Sequence, residues 1–194
     1  MKPSRETTQP LASGRALRGV LRTLKDRCEP AVVGRIIQAA GAPEVFGEPI
    51  RALGWYPYAA YRDLLVAADR VAGRGTGSFC RELGAAAGKR DVSTVLRIYI
   101  VLSSPERLIR ACSKVWSSYY ANAGHMDALT WQPEDTTVRI CEFSDMHPFH
   151  CRLMEGWMIS TMDMIGLSAH DLHESECACS GGKHHEFVCT WRKK

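Results

Sequence analysis

The highest density of reactive side chains in this sequence lies in residues 173–187, HESECACSGGKHHEF. The stretch contains two cysteines, three histidines and three glutamates around a Ser-Gly-Gly segment typical of a turn. Thiolate, imidazole and carboxylate groups bind transition metals, and thiols also undergo oxidation. The stretch could therefore be a metal site, a redox site or a polar hairpin that contains sulfur.

A further reactive residue, Cys151, could reach the same place from a helix. It precedes Met154 by three residues and Met158 by seven, which predicts that it lies on the buried face of that helix. It also falls in the predicted first turn, where the helix dipole favours a thiolate. Because a buried unpaired charge is costly, a thiolate at Cys151 would need a partner.

The hairpin could supply that partner. A three-residue loop at 180–182 would place Cys177 opposite His185, with their Cβ atoms about 4.5–5.5 Å apart. Glu174 precedes Cys177 by three residues, so it reaches the same face only if the strand bulges or ends between them. Cys151, Glu174, Cys177 and His185 would then form a closed four-ligand set of the kind that structural zinc favours. Spacing alone equally allows a polar hairpin with one buried cysteine, and Cys179 is assigned to the surrounding hairpin.

The elements that must position these residues follow from hydrophobic periodicity. We expect a disordered tail at residues 1–13 and a single domain at 14–194. Residues 14–123 show mostly helical periodicity, and residues 124–194 predict a ββαββ unit, so the fold class is α+β with a small antiparallel sheet. The first helix has an apolar face and an opposite stripe of basic residues, which could meet an acidic partner or simply be solvated. This stripe contains Arg15, Arg18, Arg22 and Lys25.

Composition excludes several classes of protein. The 194 residues are 45% hydrophobic and 24% charged, which is typical of one globular domain. The net charge of +4 comes without a long basic block, so we expect no nucleic-acid partner. Neither a run of about 18 apolar residues nor a signal-peptide pattern occurs, which predicts a cytoplasmic protein with no membrane span. The eight cysteines are then expected to stay reduced.

The C-terminal half resembles the 4-vinyl-reductase-type sensor domain of aromatic-responsive bacterial activators, whose fold is related to that of trafficking-particle subunits. The family pattern is Glu-x-x-Cys, then Gly, then Cys-x-Phe. Here Glu174, Cys177, Gly181 and Phe187 match, and His185 replaces the last cysteine. Residues 55–124 are similar to stand-alone bacterial relatives of the same domain.

This resemblance implies a non-catalytic signalling sensor with a structural zinc at Cys151, Glu174, Cys177 and His185. It also implies a homodimer and a small hydrophobic or aromatic ligand held between helices and sheet, although every candidate lining residue could equally be core. The alternatives are a thiol-based redox sensor acting through Cys177 and Cys179, or a dimeric adaptor that binds a downstream protein without a small ligand. We expect no enzyme, although His147 could pair with Cys151. The candidate lining residues are Trp116, Tyr120, Trp131, Phe143, Trp157 and Met158.

Overall fold

The computed structural model describes residues 8–94, 105–132 and 134–193. The N-terminal part is mainly helical, and its helices begin and end where local chemistry predicts. The Ser13 side chain caps α1 by accepting from the Ala16 amide at 3.3 Å. A proline opens α2, and Gly41 ends it in the left-handed region at φ 67°. These helices are α1 Gly14–Arg27, α2 Pro30–Ala40, α3 Pro43–Phe46, α4 Tyr58–Val71 and α5 Ser78–Thr94.

A three-stranded antiparallel sheet joins this helical part to the rest of the chain. Its central strand, β1 Leu11–Ser13, pairs with β2 Trp55–Pro57 and β3 Tyr120–Ala121. Leu11–Ser13 is buried, so the expected disordered tail does not extend over these three residues. The hydrophobic pattern of the sequence does not predict these strands, because strands of two or three residues are too short to show a period.

A four-stranded antiparallel sheet and one long helix form the C-terminal part. The strands are β4 His125–Trp131, β5 Asp135–Cys141, β6 Leu167–Glu176 and β7 His185–Lys193, in the order β4-β5-β7-β6. Two short helices, α6 Pro105–Arg110 and α7 Cys112–Tyr119, precede this sheet, and α8 Pro148–Met164 connects its two hairpins. The predicted mixed α+β class is confirmed. Within the described ranges, no helix has the length and apolar character needed to cross a membrane.

Helix α8 is held between α5 and the sheet by unusually close contact. A Cβ atom added to Gly84 would lie 1.9 Å from the Leu153 carbonyl oxygen, and one added to Gly156 would lie 1.9 Å from that of Arg81. The two helix backbones therefore touch without intervening side chains, which only glycine permits. The opposite side of α8 packs on the sheet. Both candidate sites described below depend on this helix.

Candidate functional site

The four residues predicted to converge do meet, at the start of α8. Cys151 lies in the first turn and is 0% exposed. Its Sγ is 3.4 Å from Nδ1 of His185, and Sγ of Cys177 is 3.6 Å from the same nitrogen. The Oε1 atom of Glu174 is 3.1 Å from it. We call this group, together with Cys179, the thiol–imidazole cluster.

The hairpin reaches this geometry by a different route from the one predicted. The register of β6 with β7 shifts between Glu174 and Glu176, and β6 ends at Glu176. The irregularity needed for Glu174 to face the cluster is therefore present. Cys177 is not paired with His185 in the sheet, because it precedes a 3-10 turn at Ala178–Ser180. Gly181 completes the turn at φ 93°, in the left-handed position expected of it.

Cys179 is a further member of the cluster, predicted as a redox partner of Cys177 but not as part of the metal-binding set. Its Sγ, those of Cys151 and Cys177, and a ring nitrogen of His185 all lie within 4.8 Å of one another. The Cys179 thiol also donates to the Met146 carbonyl at 2.9 Å. Strand periodicity could not place it, because the 3-10 turn, not a strand, sets its direction.

Burial determines the charge state of the cluster. Burial, reinforced by the Glu174 carboxylate, raises the pKa of the Cys151 thiol far above its ordinary value, so the expected thiolate does not form. Burial and the neighbouring Cys177 raise the pKa of Cys179 to about 12. Burial would also raise the pKa of Glu174, but hydrogen bonds from His185, Cys177 and Cys151 outweigh it and lower that pKa. The carboxylate is therefore ionised next to the neutral thiols of Cys151 and Cys179.

The donor set of the cluster could hold a transition-metal ion, because thiol, imidazole and carboxylate groups all bind such ions once the thiols deprotonate. Metal binding by Cys151, Glu174, Cys177 and His185 stays a prediction. The alternative pairing of His147 with Cys151 is wrong. Nδ1 of His147 instead accepts from the Phe149 amide at 3.1 Å and caps α8.

A buried histidine, His150, lies next to the thiol–imidazole cluster and is held by two tyrosines. The sequence did not predict it. Nδ1 of His150 is 2.8 Å from the Tyr58 hydroxyl, and Nε2 is 2.9 Å from the Tyr120 hydroxyl. Burial, with the nearby His185, lowers the pKa of His150 to about 3. The ring is neutral at physiological pH, so one hydroxyl donates to it and the other accepts from it. No local signal could reveal this, because Tyr58 and His150 are 92 residues apart.

Most of the predicted aromatic ligand-binding residues belong to the packing around His150. Trp116 stacks on the His150 ring with centroids 6.2 Å apart, and Phe143 meets Tyr58 edge-on at 4.6 Å. Trp116 and Tyr120 also line a small cavity of about 50 Å3 on the α1 side of α8. The side chain of Trp131 lies outside the described residues.

A second, more apolar cavity lies between α8, the four-stranded sheet and helices α6 and α7. Its free volume is about 70 Å3, and both Trp157 and Met158 of the predicted set line it. Two lining thiols are neutral, because burial raises the pKa of Cys112 to about 11 and that of Cys189 to about 12. We call this space the α8 cavity. Further lining residues are Met126, Thr136, Val138, Thr161, Met162, Leu172 and Phe187.

No protein-family model matches the sequence, and no curated protein is significantly similar to it. Solved structures do share its fold. A variant of the Fe(II) unliganded H-NOX protein from K. algicida superimposes with a TM-score of 0.72 at 13% identity, over 94% of this chain and 97% of that one. The Fe(II)NO form of the S. oneidensis H-NOX protein gives 0.65 at 11% identity, over 93% and 99%. An oxygen complex of an H-NOX domain related to soluble guanylate cyclases gives 0.68 at 12%, over 93% and 95%.

These matches correct two expectations. The assignment to the 4-vinyl-reductase-type domain is wrong, because the structural neighbours are H-NOX proteins over nearly the whole chain, whereas that resemblance rested on a short motif. The structural zinc was inferred from that assignment and is overturned with it, since the neighbours are described with Fe(II). The expected α+β class is confirmed. Over 94% of the chain, the fold is the one that H-NOX domains have.

Proposed function

We propose that this chain is a non-catalytic sensor domain that binds one small apolar molecule directly in the α8 cavity, without haem. The observation that carries the proposal is the cavity itself, an almost wholly apolar space beneath the helix that also carries Cys151. The fold supports a sensor function, because it is shared with H-NOX proteins described in NO-bound and oxygen-bound forms.

Haem is the cofactor that the fold neighbours suggest, and the histidines of this chain do not fit it. All seven lie in the described residues, and none lines the α8 cavity or its smaller neighbour. His150 has both ring nitrogens within hydrogen-bonding distance of tyrosine hydroxyls. Nδ1 of His185 contacts the other members of the thiol–imidazole cluster, and its buried Nε2, without a partner among the described residues, lines neither cavity. The five other histidines are partly or fully exposed.

The cavities do not fit haem either. Volumes of about 70 and 50 Å3 are far below the roughly 300–1,000 Å3 of ordinary cofactor and ligand pockets. Among the described residues that line the α8 cavity, the other polar or sulfur groups are two threonine hydroxyls, the methionine thioethers and the thiols of Cys112 and Cys189, both with a pKa raised by burial. No step of the proposed function is therefore routed through haem.

The size and lining of the α8 cavity define the ligand class. Apolar cavities of about 150 Å3 take up benzene or xenon. A space of about 70 Å3 is too small for benzene but takes a single xenon atom, a diatomic gas or another molecule of a few heavy atoms. Within the described part of the chain, such a guest meets neutral thiols and apolar walls and no ionised acid, base or nucleophile, which supports binding without catalysis.

Xenon is a suitable probe, because three methionines line the cavity and others do not. In NMR spectra of protein labelled at the methionine methyl groups, dissolved xenon should shift the signals of Met126, Met158 and Met162. The signals of Met146 and Met164, which do not line the cavity, should stay in place. Val138→Ile, which adds one methyl group to the cavity wall, should weaken the xenon response. No selective shift, or stoichiometric haem uptake by the purified protein, would refute the proposal.

A second candidate function is thiol-based redox sensing, which the gathering of three sulfur atoms favours. Cys179 is exposed and its Sγ lies within 4.8 Å of those of Cys151 and Cys177, so an oxidised Cys179 would have a thiol in reach. Peroxide treatment followed by peptide mass mapping should then find a disulfide that is lost in Cys179→Ser. A protein that survives peroxide with three free thiols would exclude this function. Homodimer formation stays a prediction.

A further inference from the structure

A wide groove runs beside α1, and none of the described residues that line it belongs to the thiol–imidazole cluster. Its volume is about 1110 Å3, and it lies between α1, the end of α2, the segment after α3 and Arg90 of α5. The apolar residues along it are only partly buried, so their surface is available for contact. They are Leu21, Ile37, Phe46 and Ile50.

The rim of this groove is strongly basic. Arg15, Arg18, Arg22 and Lys25 follow one another along α1 at intervals of three or four residues, so they form one stripe, and Arg90 adds a fifth cation. Arg90 is fixed in place by donating to the Gly19 carbonyl at 2.7 Å. Glu48 is the one carboxylate among the described residues that line the groove. The ion pairs among the described residues include none with Arg18, Arg22 or Lys25.

This arrangement is unfavourable for an isolated helix. The first turn of α1 contains no acidic residue, and Arg15 and Arg18 lie near the positive end of its dipole. Arg18 and Arg22 are like charges at i,i+4, which destabilise a helix. An acidic partner would offset both the unfavourable helix-dipole interaction and the repulsion between Arg18 and Arg22. A purely ionic partner would leave the partly buried apolar residues at the floor of the groove uncovered, so the partner must also have an apolar face.

We propose that the groove beside α1 binds an acidic amphipathic helix of a partner protein. The apolar face of that helix would pack on Leu21, Ile37, Phe46 and Ile50, and its carboxylates would meet the basic rim. A concave groove suits a helix better than a lipid surface, because the plane of headgroups could touch the rim but not the floor. The proposal concerns the output of a sensor and does not depend on which ligand the α8 cavity takes.

The test uses a fluorescein-labelled synthetic helix of leucine and glutamate, with leucines at i, i+3, i+4 and i+7. Fluorescence anisotropy should show binding to the wild-type chain that weakens with added salt. The double variant R18E/R22E should weaken binding by about tenfold or more. Arg74→Glu, which reverses an exposed charge outside the groove, should leave it unchanged. Phe46→Ala should weaken binding without altering its salt dependence.

Three outcomes would overturn the proposal. The first is equal binding of a matched peptide in which every glutamate is replaced by lysine. The second is capture by phosphatidylserine vesicles, lost in R18E/R22E, with no binding of the acidic peptide, which would assign the groove to membranes. The third is concentration-dependent self-association abolished by the same double variant, which would assign the groove to a second copy of this chain.

Discussion

Two threonines of the α8 cavity are expected to respond in opposite directions to the same substitution. Thr161 is 6% exposed, and its hydroxyl has no hydrogen-bond partner within the described ranges. Thr136 is 3% exposed and donates to the Thr130 carbonyl at 2.6 Å. Valine has nearly the shape of threonine and carries a methyl group in place of the hydroxyl. A buried hydroxyl without a partner costs about 1–3 kcal/mol, whereas a made hydrogen bond contributes about 0.5–1.5 kcal/mol.

Thr161→Val should therefore raise the free energy of unfolding by about 1–3 kcal/mol, and Thr136→Val should lower it by about 0.5–1.5 kcal/mol. For a chain of this size, each kcal/mol moves Tm by about 2–4 °C. Helix propensity hardly differs between threonine and valine, so it does not confound the Thr161 result. Urea titrations followed by circular dichroism give both values, provided that the slopes with urea agree. Destabilisation by Thr161→Val would show that its hydroxyl is paired in solution and would refute the reasoning.

Three further predictions concern other parts of the molecule. Gly156→Ala should lower the free energy of unfolding by about 1–3 kcal/mol or more, because the added Cβ would collide with the Arg81 carbonyl. The matched control Gly34→Ala, whose Cβ would have no atom within 4 Å, should raise the free energy of unfolding by about 0.5–1 kcal/mol. The His150 pKa of about 3 in the folded chain, against 6.5 ordinarily, means that the unfolded state binds the proton more readily. The free energy of unfolding should then fall by about 1.4 kcal/mol per pH unit below about pH 6.5. Urea titrations at several pH values should show this slope for the wild-type chain and not for the His150→Gln variant. Glu174→Ala should lower stability by about 1–3 kcal/mol by removing the buried acceptor that His185, Cys177 and Cys151 share, while the exposed Glu29→Ala should change little in the same assay.

Two parts of the thiol–imidazole cluster were predictable from sequence because their determinants are local. Helix phase places Cys151 inward, and glycine at 181 sets the turn that returns the chain toward His185. The share of Cys179 was hidden because a 3-10 turn replaces the expected strand. The tyrosines around His150 were hidden for a different reason. Their pairing depends on how distant elements pack, and a neutral buried histidine has no sequence pattern of its own.

The family assignment failed because its motif covers little more than the cluster. The motif residues Glu174, Cys177 and Gly181 indicate only a turn and a group of side chains that can bind metal. Such a group can occur in chains of different fold. The match to the K. algicida H-NOX variant instead depends on the placement of helices and strands over 94% of the chain, at a sequence identity of 13%. A short motif does not encode that placement.

The backbone contacts at Leu153 and Gly156 fix α8 against α5 at more than one point. At a rise of about 1.5 Å per residue, Cys151 lies about 7.5 Å to one side of Gly156 and Met162 about 9 Å to the other. A helix fixed at two points of its length can neither slide along its neighbour nor bend freely between them. The α8 cavity and the thiol–imidazole cluster are therefore held at a constant separation by one stiff element.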